Sequence, residues 1–244
     1  MEYDLTLFEK GLEELGIVLS DEQKKQFITY YEYLVEKNKV MNLTAITEYD
    51  EVILKHFLDS LSIVKAGCFD QKDLAGKSAI DIGTGAGFPG IPLKIAFPEL
   101  KITLLDSLNK RVNFLNEVID MLGLKDVTAV HGRAEDYAKQ KEHREKYDFC
   151  VSRAVANLST LSEYCIPFVK EGGSFISYKS GKIDEELSQA EHAVKILGGK
   201  VQDVVKFPLM NTDMDRSFVV IRKLKPTAKK YPRKAGLPSK EPLA

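Results

Sequence analysis

The segment Asp81-Ile-Gly83-Thr-Gly85-Ala-Gly87-Phe88-Pro89-Gly90 decides the fold, because it joins a short apolar run to the start of a helical pattern. The apolar run, residues 78–82, predicts a buried strand. Glycines in the following turn allow positive φ angles and let the backbone approach a ligand closely. The segment therefore predicts a strand, a glycine-rich loop and a helix, with a binding site at the carboxyl end of the strand.

Strand and helix patterns alternate after this loop. Residues 111–122 and 184–197 each place apolar side chains on one helical face. Six further strands are predicted at residues 101–105, 127–130, 148–152, 174–178, 201–207 and 217–221. Strands that alternate with helices predict an α/β fold with a mainly parallel sheet. Only residues 208–216 separate the last two strands, too few for a helical crossover, so we expect that pair to be antiparallel.

The N-terminal part of the chain has helical patterns instead. A first helix is predicted to end at Gly16, a second to begin after Ser20, and a third to cover about residues 48–66. The polar segment 71–77 predicts a linker. We therefore divide the chain into an N-terminal helical cap (1–70), an α/β domain (71–224) and a basic C-terminal tail (225–244).

Composition excludes several classes of protein. The chain has 244 residues, of which 44% are hydrophobic and 29% charged, which excludes collagen-like, disordered and coiled-coil proteins. No apolar run approaches the roughly 18 residues of a membrane span, and the acidic N-terminus does not resemble a secretory signal. Three cysteines without a CxxC pair argue against a disulfide framework or a zinc site. We expect a cytoplasmic protein with no metal and no membrane partner.

Positive charge is concentrated at the C-terminus. Eight cations and one carboxylate give residues 222–244 a net charge of +7, although the whole chain has a net charge of −1. The cations are Arg222, Lys223, Lys225, Lys229, Lys230, Arg233, Lys234 and Lys240. Such a segment is either solvated and poorly ordered or a phosphate-binding arm for a nucleic acid. Its prolines and Gly236 predict an extended segment without a helix.

The glycine loop has two candidate cofactors. Gly85, Gly87 and Gly90 form a GxGxxG string, and Asp106 ends the second strand, where a carboxylate can accept ribose hydroxyls, so a nicotinamide dehydrogenase has to be considered. However, Asp81 is charged where a dinucleotide loop has an apolar residue, and the chain lacks a second substrate domain. A carboxylate there suits a cationic ligand. The loop therefore favours S-adenosylmethionine, which has a sulfonium and no phosphate.

Further residues are predicted to line the same site. The loop Arg133-Ala134-Glu135-Asp136 follows the third strand, where it can meet the adenine, although a charged loop is also common on a plain surface. Ser152-Arg153 ends the fourth strand, beside the expected position of the methyl group of S-adenosylmethionine. The alternative is that Arg153 is only a salt-bridge partner, as an arginine at a strand end usually is.

The acceptor atom is limited by what the chain lacks. Enzymes that methylate an exocyclic base amine hold it with a turn that contains Pro-Pro, and the sequence has no Pro-Pro. Methylation of pyrimidine carbon 5 needs a cysteine nucleophile, but Cys150 and Cys165 are expected in the core. An atom with a free lone pair remains, such as nitrogen 7 of guanine, and its methylation requires no acid–base pair. We accordingly interpret His56 as structural.

Five segments together resemble the glucose-inhibited division protein B family, bacterial methyltransferases that make 7-methylguanosine in 16S ribosomal RNA. They are Asn42-Leu43-Thr44, His56-Phe57-Leu58-Asp59-Ser60, the 81–90 loop, Ser152-Arg153-Ala154-Val155-Ala156 and Pro232-Arg233-Lys234-Ala235-Gly236-Leu237-Pro238. The resemblance runs from about residue 5 to 242. It implies a Rossmann-like, seven-stranded, S-adenosylmethionine-dependent methyltransferase fold with an N-terminal helical cap.

The loop and the resemblance together predict the site residues. Arg153 is predicted to be catalytic. The predicted cofactor-binding residues are Asp81, Gly83, Gly85, Gly87, Phe88, Asp106, Ser107, Leu108, Ala134, Glu135 and Arg153. The predicted RNA-binding residues are Arg133, Arg216, Lys229, Lys230, Arg233, Lys234 and Lys240. The implied partner is 16S rRNA or the assembling small ribosomal subunit, and we expect a monomer. The alternative function is a non-catalytic RNA-binding protein on the same scaffold.

Overall fold

The strands predicted from the sequence all form; the first has its predicted bounds, and the other six are longer than predicted. The computed structural model describes residues 3–210 and 212–243. Met1 and Glu2 of the predicted cap, Asn211 of the last strand connection and Ala244 of the predicted tail lie outside the described residues. The strands in the described part are β1 (Ser78–Ile82), β2 (Lys101–Asp106), β3 (Val127–His131), β4 (Tyr147–Arg153), β5 (Val169–Ser180), β6 (Gly199–Pro208) and β7 (Asp215–Lys223).

Within the described residues these strands make one sheet in the order β3-β2-β1-β4-β5-β7-β6. Strands β1 to β5 pair in parallel. Strand β7 lies between β5 and β6 and is antiparallel to both, which confirms the expectation from the short connection. The strand order reverses between β1 and β4, and in such sheets ligands bind in the crevice at the carboxyl ends of the strands beside this point.

Helices cover both faces of the sheet and close two apolar clusters. Between β1 and β6 the α-helices of the described residues are α5 (Gly90–Ala96), α6 (Asn109–Met121), α7 (Ala134–Tyr137), α8 (Leu158–Cys165) and α9 (Asp184–Ile196). One cluster joins the N-terminal helices to one face of the sheet and includes Phe27 and Leu104. The other lies under α8 and α9 and includes the fully buried Cys150 and Cys165, as predicted.

The N-terminal helices share the core of the sheet. Helix α1 (Thr6–Leu15) ends at Gly16 as predicted, and α2 (Asp21–Met41) begins with a capping box between Ser20 and Gln23. The predicted third helix forms over residues 49–66, but it is not a regular α-helix. Residues 49–66 form α3 (Tyr49–Val52), a π segment (Ile53–Leu58), α4 (Asp59–Leu61) and a 3-10 turn (Ser62–Ala66). The wider π turn changes the register of the helix, a distortion that is frequent at functional sites.

The C-terminal tail packs against the domain. The prediction of a segment without a helix is wrong for α10 (Leu237–Lys240), because Pro238 lies in the first turn of this helix, where no backbone N–H is needed. Tyr231, Pro232 and Pro238 are buried, and Tyr231 belongs to the cluster under α8 and α9. No described helix is both long enough and apolar enough to cross a membrane.

Candidate active site

Two clefts open at the carboxyl ends of the parallel strands. The first, of about 480 Å³, is lined by the loops after β1, β2 and β3 and by Val155 and Tyr164. The predicted cofactor residues Gly83, Ser107, Ala134 and Glu135 line it, and so does Arg133, which was predicted to bind RNA. The second cleft, of about 780 Å³, lies beyond β4 and is described below.

The loop after β1 passes so close to Val155 at the first cleft that position 83 requires a glycine. Its φ is +70°, and a Cβ atom there would lie 2.6 Å from Cγ2 of Val155. Gly87 has a different role, because a Cβ atom there would meet Ile91 at 2.6 Å and the hydroxyl of Tyr30 at 2.8 Å. Gly83 therefore shapes the cleft, whereas Gly87 allows helix packing behind it.

Asp81 lies fully buried beneath the glycine loop. Its Oδ2 accepts hydrogen bonds from the Thr84 hydroxyl at 2.7 Å and from the Gly90 backbone N–H at 2.9 Å. Its Oδ1 is buried and has no hydrogen-bond partner among the described residues. Burial raises the pKa of Asp81 to about 6. The carboxylate therefore organises the loop and keeps one oxygen free for a further donor or cation.

Asp106 ties the loops after β1 and β2 together. Oδ2 accepts from the Gly85 N–H and Oδ1 from the Leu108 N–H, each at 2.9 Å. The guanidinium of Arg111 lies 3.5 Å from Oδ2. A carboxylate accepts about four hydrogen bonds, so Asp106 retains acceptor capacity for a ligand.

Phe88 lies at the boundary with the second cleft. Its ring stacks on His56, with centroids 4.4 Å apart and an angle of 18° between the rings, and it also faces the guanidinium of Arg153 at 5.3 Å. The side chain is only 7% exposed. In this structure Phe88 is therefore a support for His56 and Arg153.

The second cleft has a bridging carboxylate between two arginines. Arg153 Nη1 donates to Asp59 Oδ2 at 2.7 Å and to the Lys55 carbonyl at 3.0 Å. Arg216 Nε donates to Asp59 Oδ1 at 2.8 Å. The π segment and α4 bring Lys55 and Asp59 to the end of β4. The cleft is lined by Lys55, His56, Asp59, Arg153, Ala154, Tyr178, Lys179, Ser180 and Arg216.

His56 is a neutral imidazole with polar contacts at both ring nitrogens. Its Nδ1 lies 3.2 Å from the Lys55 carbonyl, which only accepts, and 3.3 Å from Arg153 Nη2, which only donates. Its Nε2 lies 2.8 Å from the Thr44 hydroxyl. Burial, followed by the nearby charge of Arg153, lowers the pKa of His56 to about 4. The interpretation of His56 as a residue with satisfied hydrogen bonds agrees with this geometry.

The structure separates residues that the sequence grouped together. Arg153 lies in the second cleft against Asp59 and does not line the first, so its predicted contact with the cofactor stays a prediction. Lys229, Lys230, Lys234 and Lys240 are exposed outside both clefts. Arg233 was predicted to bind RNA, but its guanidinium pairs with the buried Glu163.

Sequence reasoning missed the functional environment of Asp59, Lys179, Val155 and Tyr164. Asp59 and Val155 fall inside the quoted segments 56–60 and 152–156, which was the available signal. No signal marked Lys179 or Tyr164. Among the described residues no cluster of His, Cys, Asp and Glu could hold a metal ion.

A seven-stranded sheet with this order, and an acidic glycine loop at its switch point, define the class of S-adenosylmethionine-dependent methyltransferases. Solved structures support the fold. MtNAS in complex with MTA and tNA has a TM-score of 0.55 at 14% identity, covering 83% of this chain and 74% of that chain. TYW2 from M. jannaschii in complex with AdoMet has a TM-score of 0.50 at 13% identity, covering 66% and 74%.

Sequence comparisons define the family. The GidB model, described as rRNA small subunit methyltransferase G, matches residues 23–216. "Ribosomal RNA small subunit methyltransferase G" of Lachnoclostridium phytofermentans is 55% identical over 98% of both chains. The protein of the same name from Clostridium botulinum (strain Loch Maree) is 52% identical over 97% of this chain and 98% of its own length.

The chain belongs to the rRNA small subunit methyltransferase G family. The resemblance noted in the sequence is thereby confirmed, and the chain is an enzyme. The comparisons give no support to the alternative of a non-catalytic RNA-binding protein.

Proposed function

We propose that the enzyme methylates nitrogen 7 of a guanine in 16S rRNA, either in free RNA or in the assembling small subunit, as a cytoplasmic monomer. The names of its relatives, at up to 55% identity, support small-subunit rRNA as the substrate. The acceptor atom is argued from the chemistry of the second cleft.

The state of His56 carries this proposal. Both ring nitrogens are occupied by protein groups, Nδ1 by the Lys55 carbonyl and Arg153 and Nε2 by the Thr44 hydroxyl, and a pKa of about 4 keeps the ring from accepting a proton at neutral pH. Guanine nitrogen 7 already has a free lone pair, so its methylation requires no proton removal. The cleft then has to hold and orient the base and exclude water.

Residues of the first cleft fit S-adenosylmethionine. The free, buried Oδ1 of Asp81 suits a nearby positive charge, and Gly83 lines the cleft with its backbone while Val155 fills the space that a side chain would take. We propose that Gly83, Ser107, Ala134 and Glu135 hold the cofactor, with Asp106 using its remaining lone pairs. When bound, S-adenosylmethionine supplies an activated methyl group.

Cations of the second cleft would hold the target nucleotide. Arg153, Arg216 and Lys179 line it, and all three are hydrogen-bond donors suited to the guanine carbonyl oxygen or to a phosphate. Asp59 accepts from both arginines and so fixes their relative position. Arg133 at the first cleft and the exposed tail lysines outside both clefts would bind backbone phosphates.

The decisive experiment replaces the acceptor atom. Small-subunit rRNA transcribed with 7-deazaguanosine, which has a carbon at position 7, should accept no methyl group, whereas the normal transcript is methylated. If naked RNA is a poor substrate, subunits reconstituted from the two transcripts provide the same comparison. Equal methyl incorporation into both RNAs would refute nitrogen 7 as the acceptor. Arg153→Ala, compared with the normal chain, should lower turnover and leave the protein folded.

A further inference from the structure

The C-terminal tail is anchored to the elements that line the first cleft. The Gly236 backbone N–H donates to Oε1 of Glu135 at 2.8 Å. Arg233 donates to Glu163 through its backbone N–H at 2.6 Å and through Nη2 at 2.7 Å. The Thr160 hydroxyl donates to the Pro238 carbonyl at 3.0 Å. The tail is thus attached to α7 and α8 at three points.

Two of these anchors adjoin the cleft directly. Glu135 lines the first cleft, is only 4% exposed, and gives one carboxylate oxygen to the tail. Tyr164, which also lines the cleft, follows the anchor residue Glu163 in α8. A displacement of the tail would therefore be transmitted to the lining of the first cleft through the hydrogen bond to Glu135 and through Glu163, the sequence neighbour of Tyr164.

We propose that the docked tail positions the cofactor cleft, with the Gly236 N–H as the group that orients the Glu135 carboxylate. The inference rests on the proposed assignment of the first cleft to the cofactor. A buried carboxylate that loses a charge-assisted hydrogen bond takes up another orientation or draws in water. Gly236 is a positioning residue in this scheme, because it acts through Glu135.

RNA binding and cofactor binding are then coupled. Lys234 and Lys240 are exposed on the segment that carries Arg233 and Gly236. RNA bound to these lysines would therefore change how firmly the anchor residues Arg233 and Gly236 hold the tail in place. Coupling between two binding sites is reciprocal: whatever the tail contributes to cofactor affinity, the cofactor contributes to tail docking.

Gly236→Ala tests the inference. Gly236 has φ +83° and open space around it, so an alanine strains the local backbone without a clash. Gly16→Ala is the matched control, since Gly16 has φ +65°, equally open space and a position at the end of α1. We expect Gly236→Ala to weaken binding of S-adenosylhomocysteine by fivefold or more in calorimetry with the full chain. Gly16→Ala should bind it as the normal chain does.

Hydrogen exchange of the unaltered chain gives a second measurement that depends on no variant. S-adenosylhomocysteine should slow amide exchange in residues 233–238, none of which lines the first cleft. Unchanged affinity in Gly236→Ala, or unchanged exchange in the tail on ligand binding, would overturn the inference. A normal chain that does not bind S-adenosylhomocysteine would overturn the proposed function itself, which is a distinct result.

Discussion

Truncation of Arg233 tests whether the tail is part of the fold. Glu163 is fully buried, and the Arg233 side chain supplies hydrogen bonds of 3.0 Å and 3.1 Å from Nε and 2.7 Å from Nη2. Arg233→Ala would leave that carboxylate with the backbone N–H of residue 233 as its remaining donor from the tail. Breaking a buried pair in this way costs about 3–5 kcal/mol. Because the Arg233 side chain is 21% exposed and water can enter, we expect the lower end, about 3 kcal/mol.

The assay is urea unfolding at neutral pH, with Lys234→Ala as the matched control. Lys234 is adjacent and exposed, so its truncation should change the free energy of unfolding by less than about 0.5 kcal/mol and should weaken RNA binding. Replacing Arg233 and Glu163 together by leucine should recover most of the lost stability. If Arg233→Ala unfolds like the normal chain and loses RNA affinity as Lys234→Ala does, Arg233 belongs to an RNA-binding arm and the reasoning is wrong.

Three further predictions concern the clefts and the tail lysines. Arg153→Ala should raise the pKa of His56 above its value of about 4, measured by NMR titration, because a neighbouring positive charge is removed; an unchanged titration would contradict their contact. Burial raises the pKa of Asp81 to about 6, so the folded state holds this proton more tightly than the unfolded state does. The unfolding free energy of the normal chain minus that of Asp81→Asn should therefore fall by about 3 kcal/mol as pH rises from about 3 to 7; a constant difference in urea titrations would argue against it. Replacing Lys229 and Lys230 by alanine should reduce the salt dependence of RNA binding, with the slope of log K against log salt falling by roughly 0.7–0.9 per lysine that contacts a phosphate; an unaltered slope would exclude these contacts.

Local sequence was sufficient for the sheet. The central strands are short, largely apolar runs bounded by polar or glycine-rich segments, and the nine residues between the last two predicted strands are too few for a helical crossover and so predict an antiparallel pair. The glycine loop could also be predicted from the sequence, because Asp81 forms its hydrogen bonds with Thr84 and Gly90, which lie within ten residues of it in the chain. These features depend on spacing along the chain, which the sequence displays directly.

The second cleft was less accessible to such reasoning. Asp59 accepts hydrogen bonds from Arg153 and Arg216, which are 94 and 157 positions away in the chain. No period or spacing rule links three charged residues over such distances. The π segment that presents Asp59 is also invisible, because its apolar residues satisfy the pattern of an ordinary helix.

The net charge of the C-terminal segment does not show which of its cations are exposed in the structure. The composition of residues 222–244 suggested a free cationic arm, yet two cations of this segment neutralise acidic groups elsewhere in the fold: Lys223, at the end of β7, lies 3.1 Å from Glu145, and Arg233 of the tail pairs with Glu163. Lys223 is 1% exposed and therefore unavailable to a phosphate. The cations that can meet RNA are those left exposed between the anchors. The anchors fix the position of these cations relative to the first cleft. The segment that we propose to bind RNA is therefore the same segment that we propose to position the cofactor cleft.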